Sequence, residues 1–326
     1  MKRDVVSVVL FVILSVSLVT GSVVAADFPS KPITILCISP PGGSHDIIAR
    51  AFASVAEKFL GQPVVVVNRT AGGGVVATQE VIRSSPDGHT LFVDSTVTAS
   101  QIVWEIVNGR RPPFVLDDLM PLGSFTLSPG VVAVPHNSPW KTLDDMIRAC
   151  KAKPDHFAFC STGMYRGTQM PAEILINVTG ISTRHVPMEG WAPCGNALVG
   201  EHVDFATPWP SASIPLIRGN KLRALAVLAD RRLKFLPNIP TAKELGVDAE
   251  WYQWIGISAA KKTPSAIAEK LKDAAKKVAE TKSFIDIIAN QGDEVRFMNS
   301  DELAKFRVRE LEKATKLVKQ LIEQKK

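Results

Sequence analysis

No cysteine in this chain has a second cysteine or a histidine three positions away, which removes the common structural zinc sites. There is no G-x-S-x-G elbow and no H-E-x-x-H helix, so serine-hydrolase and zinc-protease chemistry lack their usual signatures. The glycine-rich loops lack the lysine and spacing of a P-loop. Low-complexity tracts and internal repeats are also absent, as in an ordinary globular protein. Charge of one sign is not segregated. The formal net charge is +6, and the lysine-rich stretches 262–282 and 305–326 carry acidic residues as well. They read as solvated helix faces, and nucleic acid is not an expected partner. Nothing in the pattern calls for a metal or a cofactor.

Cysteine is scarce. The 4 present are Cys37, Cys150, Cys160 and Cys194, and none follows the N-terminal apolar run closely enough for a lipoprotein. Cys150 ends a predicted helix and Cys160 lies at the far end of the next strand, roughly 13 Å away. That exceeds the Cα–Cα limit of about 7 Å for a disulfide. A Cys160–Cys194 bridge stays open, since both positions are expected at one side of a sheet.

What is present begins with an export signal. Lys2 and Arg3 precede an uncharged stretch from Val5 to Ala26, with small residues Val24-Ala25-Ala26 at a cleavage point. The apolar core, residues 5–19, is shorter than the roughly 20 residues of a spanning helix. Residues 1–26 are therefore expected to be removed, leaving a chain that works in the periplasm. About 300 remaining residues suggest two domains or one large one.

Strand patterns at 33–38, 64–67, 90–93, 131–134, 157–160, 183–186, around Phe205 and at 222–228 alternate with amphipathic helices. The helices fall at 47–60, 75–84, 143–152, 169–177, 193–199, 211–218, 264–281 and 301–325. This alternation argues a parallel α/β architecture. The last helix shows a stripe of Ala304, Val308, Leu311, Val318 and Ile322, with Ser300 as its N-cap. Crossings near 125–131 and 251–260 would build one domain from 27–126 plus 252–326 and another from 127–251, with a cleft between them.

Three loops at strand ends could bind an anion. Gly42, Gly43, Ser44 and Asp46 open the first long helix, whose free N–H groups and dipole favour negative charge; Gly43 is expected to bring a main-chain amide against it. Ser161, Thr162, Gly163, Tyr165, Arg166, Gly167 and Thr168 precede another helix, and Ser95 and Thr96 follow a third strand. Ligands bind at the C-terminal ends of parallel strands, so these loops should face one cleft. Trp191 and Trp254 are candidate pocket walls. Residues 72–77 fit G-x-G-x-x-A with Asp94 twenty residues on, but the turn after the strand is too loose for a dinucleotide and an exported protein would need its cofactor loaded beforehand. His45 and Cys160 have no companions that would make them catalytic.

Several segments together resemble one family. They are Phe28-Pro29-Ser30-Lys31-Pro32-Ile33, Pro41-Gly42-Gly43 with Asp46, and Gly61-Gln62-Pro63-Val64-Val65-Val66-Val67-Asn68-Arg69. Pro86-Asp87-Gly88-His89-Thr90-Leu91, Leu222-Arg223-Ala224-Leu225-Ala226-Val227 and Pro237-Asn238-Ile239-Pro240-Thr241 complete the set. In this order they resemble the Bug family, the periplasmic substrate-binding receptors of tripartite tricarboxylate transporters. The resemblance implies a two-domain type II periplasmic binding protein without catalysis, expected to be monomeric, that holds an organic carboxylate in its cleft for a membrane permease. It implies that the turn at 42–46 and the loop at 161–169 grip that carboxylate, with Thr207 at a neighbouring strand end.

The chain departs from the family at Met188-Glu189-Gly190, at Met164-Tyr165-Arg166 and at Thr207-Pro208. The last replaces an aspartate that pairs with an amino group in amino-acid-binding relatives, which argues against an amino-acid ligand. Arg166 is expected to read the distal carboxylate of a dianion. The competing readings are an exported α/β enzyme using the 72–77 loop or Cys160, and a ligand sensor for a membrane kinase.

Overall fold

The computed structural model describes residues 28–164 and 167–323; the expected export signal lies outside them. The chain starts as read. Strand β1 (Ile33–Cys37) runs into helix α1 (Ser44–Leu60), which ends on Gly61 in the left-handed conformation. Strand β2 (Val64–Asn68), helix α2 (Val75–Arg83) and strand β3 (Thr90–Ser95) follow, and β2 and β3 flank β1 in parallel. Helix α3 (Thr96–Val107) then starts directly from Ser95.

The parallel architecture does not extend through the middle of the molecule. Strand β4 (Leu119–Pro135) is 17 residues long, and the stretch around 125–131 is continuous strand. Its first part pairs antiparallel with β9 (Tyr252–Ala260), and β9 pairs antiparallel with β3. Its last part pairs antiparallel with β8 (Leu222–Leu228) and with β7 (Phe205–Ala206). Beyond β7 the sheet is parallel again, through β5 (Ala158–Ser161) to β6 (Arg184–Pro187). The result is two α/β lobes sharing one long strand. Pro121, Gly123, Pro129 and Gly130 conceal β4 in the sequence; here prolines and glycines sit in a strand with register shifts at 121–123 and 124–126. A Cβ on Gly256 would meet the Gly123 carbonyl, so glycine is what lets β4 and β9 pass so closely.

The remaining elements are helices α4 (Leu143–Ala152), α5 (Gln169–Thr179), α6 (Trp191–Val199) and α7 (Pro210–Arg218) in the second lobe. Helices α8 (Ser265–Glu280) and α9 (Lys282–Asn290) and strand β10 (Val295–Asn299) return to the first, where β10 pairs antiparallel with β4. The first lobe closes over Ile35, Phe52, Leu91, Phe125, Ile257 and Phe284, with Phe125 between Phe52 and Phe284 at 5.3 and 5.2 Å. The second closes over Val132, Trp140, Met146, Phe159, Leu175, Phe205 and Leu225. Cys160 and Cys194 form a disulfide with Cα atoms 5.7 Å apart, tying the end of β5 to α6. Cys37 and Cys150 are free and buried.

Helix α10 (Ser300–Glu323) packs across both lobes, its Leu317, Val318 and Leu321 meeting Val103 of α3 and Met170 of α5. Its cap is Asn299 rather than Ser300. The Asn299 side chain accepts from the Asp301 and Glu302 N–H groups at 3.0 Å, and Glu302 accepts from the Asn299 N–H at 2.9 Å. The expected stripe holds in the second half of the helix, where Val318 is buried and Leu311 and Ile322 pack beside it; in the first half the buried residues are Leu303 and Arg307, while Val308 is 49 % exposed. Arg307 decides the phase there. Its guanidinium donates to Asp94 at 2.5 Å and to the Leu119 carbonyl at 3.1 Å, and both side chains of the pair are buried. Asp94 also accepts from Thr98 at 2.8 Å and Ser258 at 2.7 Å, so α10, β3, α3 and β9 meet on one carboxylate.

Removing one partner of such a pair leaves a buried charge uncompensated. Arg307→Met is expected to lower the free energy of unfolding by about 3–5 kcal/mol, and the double change Asp94→Asn, Arg307→Met to recover part of it. Urea denaturation followed by circular dichroism measures this. A loss below about 1 kcal/mol in the single variant would mean the pair behaves like a surface contact.

Candidate functional site

The C-terminal ends of the parallel strands of the two lobes bring the expected loops to the divide. After β1, the Gly43 N–H closes a turn on the Pro40 carbonyl at 3.1 Å. Gly42 has φ +82°, while Gly43 is the helix N-cap at φ −72°. The left-handed residue is thus Gly42, and what reserves position 43 for glycine is space. A Cβ there would lie 3.0 Å from the Ser39 Cβ and 3.2 Å from the Pro40 carbonyl. Among the described residues no side chain caps α1, which leaves its first-turn N–H groups open.

Asp46 faces back into the turn. It accepts from the Gly42 N–H at 2.9 Å, from Arg50 Nε at 3.0 Å and from Asn68 Nδ2 at 2.8 Å. Burial alone would raise its pKa; the bonds from Arg50, Asn68 and Gly42 outweigh that and hold it below the ordinary carboxylate range. Asp46 therefore shapes the turn.

Ser95 and Thr96 are likewise committed to backbone. Ser95 Oγ accepts from the Val97 N–H at 3.2 Å, and Thr96 Oγ1 accepts from the Trp254 N–H at 3.0 Å, which ties α3 to β9. In the second lobe, Thr162 and Thr168 exchange hydrogen bonds: each hydroxyl accepts the other's N–H, at 3.1 and 3.2 Å. Thr207 donates to the Thr168 carbonyl at 2.7 Å, locking the strand end of β7 to the start of α5. Ser161 Oγ lies 2.7 Å from His185 Nε2 and donates to the Gly163 carbonyl at 3.0 Å. Gly163 and Gly167 both have positive φ, and a Cβ on Gly167 would strike the Thr162 hydroxyl. Tyr165 and Arg166 lie outside the described residues.

A chamber of about 350 Å³ opens between the lobes where α1 begins. Gly42 and Ser44 stand on one side, Trp191, Trp209 and Ser211 on the other, and Thr126, Ser128, Gln253 and Asp293 line it from the crossing strands and the α9–β10 turn. Of the residues expected from sequence, Gly42, Ser44 and Trp191 line this chamber. Trp254 is fully buried in the core instead. Thr162 and Gly163 line a shallow depression with Met188 and Glu189. A second cavity of about 460 Å³ lies beside α3, against Gly72, Val75, Gln101, Trp104 and Met164.

Four of the chamber residues absent from the sequence-based expectations lie on the crossing strands. Thr126 and Ser128 alternate along β4, as Gln253 and Ile255 do along β9. That period-2 signal is visible only once these segments are read as strands. Trp209 precedes Pro210 at the first turn of α7, a readable helix start.

The glycine triplet of the 72–77 loop is fully used by the fold. Gly72, Gly73 and Gly74 have φ of 61°, 63° and 98°, and Gln101 donates to the Gly73 carbonyl at 2.6 Å. Asp94, the acid a dinucleotide would need, is held by Arg307. Among the described residues no group of three or more His, Cys, Asp or Glu is placed to hold a metal, and no helix is long and apolar enough to cross a membrane.

Residues 48–322 match the family model for the tripartite tricarboxylate transporter family receptor, TctC. The chain belongs to this family. It is a solute-binding receptor and not an enzyme. BugT of Bordetella pertussis is 31 % identical over 297 residues, spanning 88 % of this chain and 91 % of that protein. A TctC solute-binding protein from Polaromonas superposes with a TM-score of 0.78 at 25 % identity, covering 90 % of this chain and 99 % of the other. MatC from Rhodopseudomonas palustris, solved with bound malate, gives 0.75 at 25 % identity and covers 89 % and 100 % of the two chains. These likenesses carry the two-domain periplasmic binding-protein fold read from the sequence.

His45, in the first turn of α1, gives the site a pH signature. Its imidazole is buried with Nδ1 3.0 Å from Ser39 Oγ, and burial lowers its pKa to about 4. The unfolded chain takes up this proton near pH 6.5 and the folded chain does not. The stability due to the neutral ring is therefore complete above pH 6.5 and lost as pH falls towards 4, by up to about 1.4 kcal/mol per pH unit. Urea titrations between pH 4 and 8 should show this slope in the wild type and a flatter one in His45→Gln. Parallel curves would assign the acid sensitivity elsewhere.

Proposed function

We propose that the receptor captures an organic carboxylate, with dicarboxylates the leading class, in the cleft between domain 27–126 plus 252–326 and domain 127–251. It then delivers the solute to the membrane permease of a tripartite tricarboxylate transporter. The observation that carries this reading is the uncapped start of α1 at the interlobe chamber. Main-chain N–H groups at the positive end of a 17-residue helix suit a carboxylate without requiring a cationic side chain. Trp191 and Trp209 supply apolar wall for the solute's carbon skeleton, the usual composition of a small-molecule site. The malate held by MatC supports the same class.

In this reading the protein is exported by cleavage near residue 26, works as a monomer in the periplasm, and closes its lobes about β4 and β9 when the solute arrives. Arg166 is assigned to the distal carboxylate.

A thermal-shift screen of mono-, di- and tricarboxylates tests the reading. Binding to the native state alone stabilises it by roughly 2.7 kcal/mol at a hundredfold excess over Kd, enough to be plain in the melting curve. Carboxylates should give the largest shifts, and Gly43→Val should abolish them while leaving a cooperative melt. A screen in which only sugars or inorganic cations stabilise, or an unaltered shift in Gly43→Val, would overturn it.

A further inference from the structure

The chamber that opens at the start of α1 also contains a carboxylate that no cation among the described residues neutralises. Asp293 is 9 % exposed and lines the cavity from the α9–β10 turn. It accepts a hydrogen bond from Ser128 Oγ, and its Oδ1 accepts from the Glu294 N–H at 2.9 Å. Both donors are neutral. The adjacent cation, Arg231, is spent on Glu294 at 3.1 Å, and Arg296 is spent on Asp230 at 3.3 Å. Among the described residues no lysine or arginine pairs with Asp293. The buried acids Asp94 and Asp46, by contrast, each have a cation: Arg307 and Arg50. Beside Asp293 on β4, the fully buried Thr126 lines the same chamber with a hydroxyl that has no partner.

We propose that Asp293, oriented by Ser128, is the subsite for a cationic nitrogen of the solute, so that the solute is a zwitterion: a carboxylic acid that also bears an amino or alkylated ammonium group. This rests on the reading of the chamber as a carboxylate site, and it reverses the expectation drawn from Thr207-Pro208: the acid that meets the amino group is Asp293, supplied by the α9–β10 turn instead of the β7 end. The carboxylate meets the N–H groups at the start of α1, the ammonium meets Asp293, and the Thr126 hydroxyl gains a partner in the solute. A buried acid without a counter-ion is costly to keep charged, and burial does raise the pKa of Asp293. A bound cation supplies the missing charge, and charge-assisted bonds in such a setting are roughly twice as strong as neutral ones. Trp191 and Trp209 add aromatic surface, which also favours a cation over a second anion.

Calorimetric titration with matched pairs that differ only in the amino group decides the matter. The pairs are aspartate and succinate, glutamate and glutarate, alanine and propionate, and phenylalanine and 3-phenylpropionate. For at least one pair the wild type should bind the amino member about tenfold or more tighter, a difference of about 1.4 kcal/mol. Asp293→Asn should erase that preference while leaving the affinity for the des-amino member unchanged or improved. Ser128→Ala, which keeps the acid but removes the hydroxyl that orients it, should reduce the preference partially and serves if Asp293→Asn does not fold. Tighter binding of the des-amino members by the wild type, or a preference unaltered in Asp293→Asn, overturns this proposal and leaves the carboxylate receptor standing. If no member of any pair binds, the carboxylate reading falls and this one with it.

Discussion

Strand β4 is the constraint on which the molecule is built. Its 17 residues span roughly 55 Å, more than one lobe is wide, so a single stretch of backbone serves as the inner strand of both. The first part is bonded to β9 and the last to β8 and β7. The parallel strands β1–β3 attach through β9, and β5–β6 attach through β7, which sets the C-terminal ends of the two parallel groups across from each other. The cleft follows from that geometry. A second link, α10, crosses the same divide and is anchored on Asp94 by Arg307. A hydrophobic pair of equal volume would hold as well or better in free energy, but the carboxylate also joins Thr98 and Ser258. That makes one point at which two helices and two strands must agree in register.

The polar residues at the strand ends divide into two kinds, and only geometry separates them. Asp46, Ser95, Thr96, Thr168 and Thr207 all turn their side chains onto backbone N–H or C=O groups of their own or neighbouring loops. Loops that bring backbone close to a ligand leave many main-chain groups without sheet or helix partners, and short polar side chains satisfy them. The residues that face the chamber come largely from elsewhere: the crossing strands, the α9–β10 turn and the starts of α6 and α7. The loops provide shape and main-chain donors, and the shared strands provide side chains.

This division explains how much could be read in advance. Strands β1, β3 and β8 were legible as short apolar runs buried on both faces, and α1 and α8 as helices with one apolar stripe, whereas α3, rich in β-branched residues including threonine, carried no such signal. The strand signal failed in β4, where Pro121 and Pro129 mimic breaks, and in β10, whose residues are only partly buried. Only the first half of α10 departs from its expected stripe, because an inward-facing arginine looks like a surface residue until its carboxylate is found 213 positions away. Gly42, Ser44 and Trp191 were legible as site residues because glycine turns and helix starts are local signals. Thr126, Ser128, Gln253 and Asp293 were not, because what brings them to the chamber is the pairing of segments more than 100 residues apart.

The electrostatics of the chamber are set by two features of opposite sign. At α1 the positive end is made of N–H groups that cannot be titrated; at Asp293 the negative end is a single acid with neutral neighbours. Such a site discriminates by charge type more than by size. A methylene more or less against Trp191 and Trp209 changes binding by about 1–3 kcal/mol, within what a two-tryptophan wall accommodates. A second anion placed against an ionised Asp293 meets like charge in a poorly hydrated space, so a dicarboxylate has to set its distal group away from Asp293. A dipolar solute meets a favourable field at both ends and is oriented by it, with its acid towards the turn that opens α1. In a receptor that must later release its cargo, this arrangement draws selectivity from two small, separately placed terms.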